Sequence, residues 1–169
     1  QRTDIAPGAE PLGAFAAQYH GAHVRVDGPG IELLLQLTNH IHSYHQAVQQ
    51  GLWSQSSQFC LHLQPIEELA GKTITLLGYG DLGQATAKLA EAFGMKVLIA
   101  ERHDATEIRT GRTAFEAALR QADVLSLHCP LTDSTAKLIN AKTLSWMKPT
   151  ALLINTARGG LIDETALAV

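Results

Sequence analysis

The sequence predicts an α/β fold, an open, doubly wound sheet of parallel strands with helices on both faces. Three observations carry the prediction. Four short apolar runs, KTITLLG (72–78), KVLIA (96–100), DVLSLH (123–128) and TALLIN (150–155), alternate with stretches of helical spacing. Strands alternating with helices build parallel sheets through right-handed crossovers. The first run ends in LLGYGDLGQA, where Gly78, Gly80 and Gly83 lead from strand to helix. In such a turn the first glycine allows the bend, the second lets a pyrophosphate approach the backbone, and the third lets helix and strand pack closely. Finally, the second run is followed directly by an acidic residue, Glu101, 18 positions after Gly83 (101 − 83).

Taken in order, residues 1–30 are rich in glycine and proline, with only HVRV near residue 24 reading as a short strand. From Ile31 the pattern changes. Ile31, Leu34, Leu37, Ile41, Tyr44 and Val48 recur every three or four residues, predicting one helix that ends near Gly51. Leu33 and Leu35 widen its apolar surface, so a contact on a second side, such as another subunit, is expected. Residues 51–69 read as a polar loop anchored by Trp53 and Phe59. KTITLLG is a buried strand, Asp81 to Phe93 a helix with Leu82, Ala85, Leu89 and Phe93 inward, and KVLIA the next strand. Thr113 and Glu116 form a capping-box pattern before a short helix. DVLSLH is a strand, NAKTLSWMK a helix stopped by Pro149, and TALLIN a strand, after which Asp163 is placed to cap a last helix.

Composition limits the partners. Among 169 residues the net charge is −3 and no run of lysine or arginine occurs, which argues against nucleic acid and anionic membrane. The longest apolar stretches, such as IELLLQL, are too short to cross a bilayer. Cys60 and Cys129 lack metal-ligand spacing and fit the reduced thiols of a cytoplasmic protein. His40, His42 and His45 cluster on one predicted helix without Asp, Glu or Cys beside them, so no metal site is expected.

Two charged positions point to chemistry. A carboxylate at the end of the second strand binds the adenosine ribose hydroxyls of a dinucleotide and disfavours a 2′-phosphate, so Glu101 points to NAD. Arg102 leaves NADP open, because a guanidinium there pairs with that phosphate. Arg158, in NTARGG, follows a buried strand at the edge where ligands of such sheets collect. Its planar, permanently charged fork suits a substrate carboxylate and an adjacent carbonyl. His128 reads as a packing and hydrogen-bonding residue, and Trp53 and Trp146 as packing anchors.

GYGDLG, Glu101, LSLHCPLT and above all LLINTARGGLIDETAL resemble the cofactor domain of the D-isomer-specific 2-hydroxyacid dehydrogenases, and most of all bacterial hydroxypyruvate reductases, also called glycerate dehydrogenases. The resemblance covers residues 31–169 and implies a Rossmann-type NAD-binding domain. Residues 1–30 stand as a remnant of a substrate domain. It also implies backbone contacts from Asp81 and Leu82 to the pyrophosphate, Glu101 on the ribose, and Cys129, Pro130, Thr156 and Ala157 along the cofactor. Arg158 becomes the catalytic arginine for a small 2-keto or 2-hydroxy acid. In the family, a histidine paired with a glutamate exchanges the proton, and both follow the arginine. No residue here occupies their motif positions, so a truncated or internally deleted member that binds cofactor without useful turnover is expected. The helix from Ile31 implies a homodimer. A second reading is an NAD(H)-sensing interaction module of the corepressor type, which some relatives of this fold represent.

Overall fold

A computed structural model describes residues 28–168. The HVRV segment and the rest of residues 1–27 lie outside the described residues, as does Val169. All four apolar runs form strands: β1 (Thr73–Leu77), β2 (Lys96–Ile99), β3 (Val124–Leu127) and β4 (Leu152–Asn155). They make one parallel sheet in the order β2-β1-β3-β4. Ile74 of β1 stands beside Val97 on one side and Val124 on the other. The chain moves outward from β1 to β2 and then returns to β3, so the winding reverses between β1 and β3. A crevice opens at such a reversal, outside the carboxyl ends of the strands.

Two apolar cores cover the two faces, as alternating side chains require. Ile74, Leu76, Val124 and Ile154 pack under Ile31 and Leu34 of α1 (Gly28–Asn39) and Ala87 and Ala90 of α4 (Asp81–Ala92). Leu77, Leu125, Leu127 and Leu153 face Ala118 and Leu119 of α5 (Phe115–Gln121). Thr75 is buried with them, and its hydroxyl donates to the Ala118 carbonyl at 3.0 Å.

The helix predicted from Ile31 to Gly51 is two helices. α1 stops at Asn39, and α2 (Ile41–Gln49) starts after His40, which adopts the left-handed region at φ 51°. Side chains before the break compete for backbone carbonyls: the Thr38 hydroxyl donates to Leu34 at 2.9 Å and the Asn39 amide to Leu35 at 3.1 Å. The turn re-aims the chain, so Ile41 and Val48 face solvent while Ala47 is buried. Leu33 and Leu35 are partly buried against the same core as Leu34, so their second contact lies within the chain.

Residues 51–69 are mostly loop but contain a short helix, α3 (Leu52–Gln55). Trp53 is 55 % exposed and Phe59 fully so, and neither anchors the segment. Tyr44 does this instead: its hydroxyl donates to the Gln64 carbonyl at 3.3 Å and accepts from the Leu63 N–H at 3.2 Å.

The sheet-facing side of α4 also differs from the sequence expectation. Gly83, Thr86, Ala87 and Ala90 point inward, whereas Leu82, Leu89 and Phe93 are exposed. The helix lies so close to β1 that only small side chains fit beneath it. A Cβ at Gly83 would stand 2.6 Å from the Gly78 carbonyl oxygen.

α5 forms as predicted, but without the Thr113–Glu116 box. Thr113 pairs with Ala100 in a short extension of the sheet, and Glu116 binds Arg120 on its own helix. The capping box occurs instead at Asn140 and Thr143, ahead of α6 (Ala141–Leu144), which ends well before Pro149. Trp146 does anchor, packing edge-on against Phe115. α7 (Glu164–Leu167) starts after Asp163 as expected, yet the Asp163 side chain does not cap it and instead pairs with Lys137 at 3.4 Å.

Candidate dinucleotide site

The three glycines are required for three separate reasons. Gly78 has φ +98°, a conformation that side chains resist, and a Cβ there would lie 2.6 Å from the His128 carbonyl. It therefore lets the turn after β1 pass against the end of β3. Gly83 permits the close approach of α4 to that turn. At Gly80 no described residue comes within 4 Å of the place a Cβ would take, so the space above it is open among them. No side chain caps α4 at Gly80, and the first backbone bond of the helix is from Gln84 N–H to the Gly80 carbonyl. The N–H groups of Asp81, Leu82 and Gly83 precede that bond and have no acceptor within the helix. Open space in front of unpaired N–H groups at a helix start suits a pyrophosphate.

Beside this turn is a cavity of about 370 Å³ at the carboxyl ends of β1, β2 and β3, a volume in the range of small-molecule sites. Leu77, Ala100, Phe115 and Leu138 supply apolar walls, with Gly78, Tyr79, Glu101, Arg102, Cys129 and Pro130 around them. Burial pushes the Cys129 thiol above its ordinary pKa, which keeps it protonated and unreactive. A larger cavity, about 740 Å³, lies between α1, α2 and the amino-terminal ends of β3 and β4, the side of the sheet away from the glycine turn.

Glu101 is only 3 % exposed, and Arg109 holds it with a two-nitrogen fork. The Arg109 guanidinium, with the Arg102 and Arg109 N–H groups, outweighs the cost of burial and holds the carboxyl well below the usual carboxylate range. Arg112 donates to the Ala100 carbonyl at 3.1 Å. Arg102 is exposed and touches Asp104 at 3.5 Å. Arg109 and Arg112 were not singled out from the sequence. They lie in a turn-rich stretch without periodicity, and only their spacing from Glu101 could have hinted at them.

Arg158 lies on the same carboxyl edge, just past β4, with its side chain exposed and its Nη1 donating to the Ala157 carbonyl at 2.9 Å. Asn155, buried at the strand end, shapes this turn. Its oxygen accepts the Ala157 N–H at 3.0 Å and its amide donates to the Arg158 carbonyl at 2.9 Å. Thr156, Ala157 and Arg158 do not line the first cavity. They stand two strands from β1, about 10 Å across the sheet at the usual strand spacing. The turn that carries them leans on the loop after β3, since a Cβ at Gly160 would come within 2.9 Å of Leu131. His128 sits between, half-buried, its ring 2.9 Å from the Ser126 hydroxyl, the hydrogen bonding expected of it.

Comparison with known proteins places these features. Residues 31–169 match the NAD binding domain of the D-isomer specific 2-hydroxyacid dehydrogenases. The chain is 45% identical over 137 residues to a glycerate dehydrogenase of Methylorubrum extorquens, covering 81% of this chain and 42% of that protein. It is 39% identical over 140 residues to a hydroxypyruvate reductase of Blautia hydrogenotrophica, covering 81% and 44%. Among solved structures, the TT0316 protein from Thermus thermophilus superposes with a TM-score of 0.72 at 38% identity, over 83% of this chain and 44% of that one. The chain thus spans less than half the length of the relatives it matches. No helix among the described residues is long and apolar enough to cross a membrane. With the glycine turn, the acidic strand end and the matched segment in agreement, the chain belongs to the D-isomer specific 2-hydroxyacid dehydrogenase family, as its NAD-binding domain.

Proposed function

We propose that this chain is the cofactor-holding part of an NAD(P)-dependent oxidoreductase acting on a small 2-keto or 2-hydroxy acid, with hydroxypyruvate, glyoxylate or glycerate as the substrate class. The observation that carries the reading is the shared carboxyl edge. The open glycine turn after β1, the Glu101 end of β2 and Arg158 after β4 all lie on it, spread across the width of the four-strand sheet. In this reading residues 1–30 belong to a substrate domain and residues 31–169 to the cofactor domain.

The bound cofactor would supply or accept a hydride at its nicotinamide ring. Gly78, Gly80 and Gly83 leave room for its pyrophosphate, and the N–H groups of Asp81 and Leu82 hold it. The end of β2, with Glu101 and Arg102, lies at the adenosine ribose, while Cys129, Pro130, Thr156 and Ala157 lie along the remainder. Arg158 binds the substrate carboxylate through its fork and stabilises charge on the neighbouring keto oxygen. The Asn155 clamp fixes the backbone turn that carries that arginine. Names of reductases and dehydrogenases among the relatives support this reading, and the interaction-module alternative draws no support from them.

The decisive experiment is ternary binding. NADH should bind saturably, with enhanced nicotinamide fluorescence, and oxalate as an unreactive keto-acid mimic should tighten it. Arg158→Leu should leave NADH affinity unchanged and abolish the tightening. Equal tightening in the variant would remove Arg158 from the substrate site.

We also propose that the exposed apolar residues of α2 and α3, including Ile41, Val48 and Trp53, support a homodimer in a cytoplasmic setting.

A further inference from the structure

The carboxylate that ends β2 is fully used. Glu101 Oε1 accepts the Arg102 N–H at 2.9 Å and the Arg109 Nη2. Its Oε2 accepts the Arg109 Nε at 2.8 Å and the Arg109 N–H at 3.2 Å. A carboxylate offers about four lone-pair directions, and here four donors take them. Ribose hydroxyls bind a carboxylate by donating to it, so this one has no acceptor left to offer unless the Arg109 side chain departs. That side chain is 59% exposed and sits over the buried acid on the cavity side. Arg102 lies next to it, loosely paired and largely exposed, and Arg112 adds a third guanidinium to the same wall. Against three arginines the cavity sets, among the described residues, only the carboxylates of Glu101 and Asp104. What faces the ribose is therefore cationic, although the strand-end residue is an acid.

We propose that Arg109 is the residue that sets cofactor preference in this protein. By occupying Glu101 it removes the acceptor that favours an unmodified ribose. With Arg102 it presents guanidinium groups to a 2′-phosphate, so that the site accepts NADP(H). This rests on the dinucleotide reading above and adds to it an assignment that the strand-end acid alone contradicts. The general rule equates an acid at this position with NAD. That rule assumes a carboxylate with free lone pairs, and the Arg109 fork removes the assumption.

The test uses the full chain and equilibrium binding, without turnover. NADH and NADPH are titrated by fluorescence and calorimetry, and 5′-AMP and 2′,5′-ADP are titrated as probes of the ribose end alone. The wild-type chain should bind NADPH at least as tightly as NADH. Arg109→Leu should shift the affinity ratio toward NADH by about tenfold, the scale of one charge-assisted hydrogen bond. The two half-probes should shift alike. Because Arg109→Leu leaves a buried acid with fewer partners, Arg109→Lys provides a variant that keeps the charge. Lysine cannot fill both oxygens, so it should shift the ratio the same way by a smaller factor. An NADH preference in the wild type, an unchanged ratio in folded variants, or a shift absent from the half-probes would each overturn the assignment while leaving the dinucleotide site intact. Failure of both dinucleotides to bind would remove the site itself, and this assignment with it.

Discussion

At the scale of single residues, the glycine turn shows how one motif combines demands of different origin. Gly78 and Gly83 are dictated by the protein's own backbone, through contacts of 2.6 Å that a methyl group would create. Gly80 is dictated by nothing among the described residues. Their alanine variants should therefore separate. Gly78→Ala and Gly83→Ala should each lower stability by about 1–3 kcal/mol, the usual scale of backbone strain and overpacking, measured by urea unfolding. Gly80→Ala should melt like the wild type yet lose NADH affinity at least tenfold, the loss of about one hydrogen bond to a charged group. A stable Gly80→Ala variant with unchanged affinity would place the pyrophosphate elsewhere. The spacing of the three glycines was legible in the sequence, as was the acid 18 positions on (101 − 83). Arg109 was not, because its role depends on a loop folding back over Glu101, and loops carry no period.

At the scale of elements, Asp123 ties together three strands. Its carboxylate accepts the Thr73 N–H at 2.8 Å and the Lys148 ammonium at 2.7 Å, while its backbone binds the Thr73 carbonyl and the Leu152 N–H. Burial pushes this carboxyl up, but Lys148 and the Thr73 N–H outweigh it and hold the group below its ordinary range. A depressed folded-state pKa stabilises the fold above the unfolded value, near 3.9, and that contribution disappears as pH falls through the folded value. Asp123→Asn should cost about 0.5–1 kcal/mol at neutral pH, a partly exposed pair being screened by solvent. The gap to the wild type should narrow in urea titrations as the pH falls below the unfolded value and through the folded one. A gap of the same size in acid would show that shape, and not charge, is responsible. Elements were legible where the pattern was local. All four strands stand where apolar runs placed them, since strands buried on both faces must be apolar throughout. The break at His40 was not legible, because the apolar period continues across it and only the Thr38 and Asn39 side chains, with their claim on nearby carbonyls, mark it.

At the scale of the whole molecule, apolar surface remains uncovered. Ile41, Val48 and Trp53 are half exposed on α2 and α3, and Leu82, Leu89 and Phe93 are exposed along α4. β4 pairs on one side only among the described residues. If the α2–α3 surface supports the proposed homodimer, sedimentation should show a concentration-dependent dimer, and Val48→Ser with Trp53→Ser should shift it to monomer without lowering the melting temperature. A monomer at all concentrations would end that proposal.

The sequence by itself determined the class of fold, the position of each strand and the glycine turn and acidic strand end at its carboxyl edge, because these follow from local periodicity and from glycines at fixed offsets. Only the tertiary structure decided which face of α4 meets the sheet. Leucines at positions 82 and 89 look like core residues by period, but the close approach at Gly83 leaves room only for glycine, threonine and alanine beneath the helix. Tertiary structure also decided the state of Glu101. An acid at a strand end reads as a free acceptor in one dimension, and becomes a saturated one when a side chain eight residues on (109 − 101) folds over it.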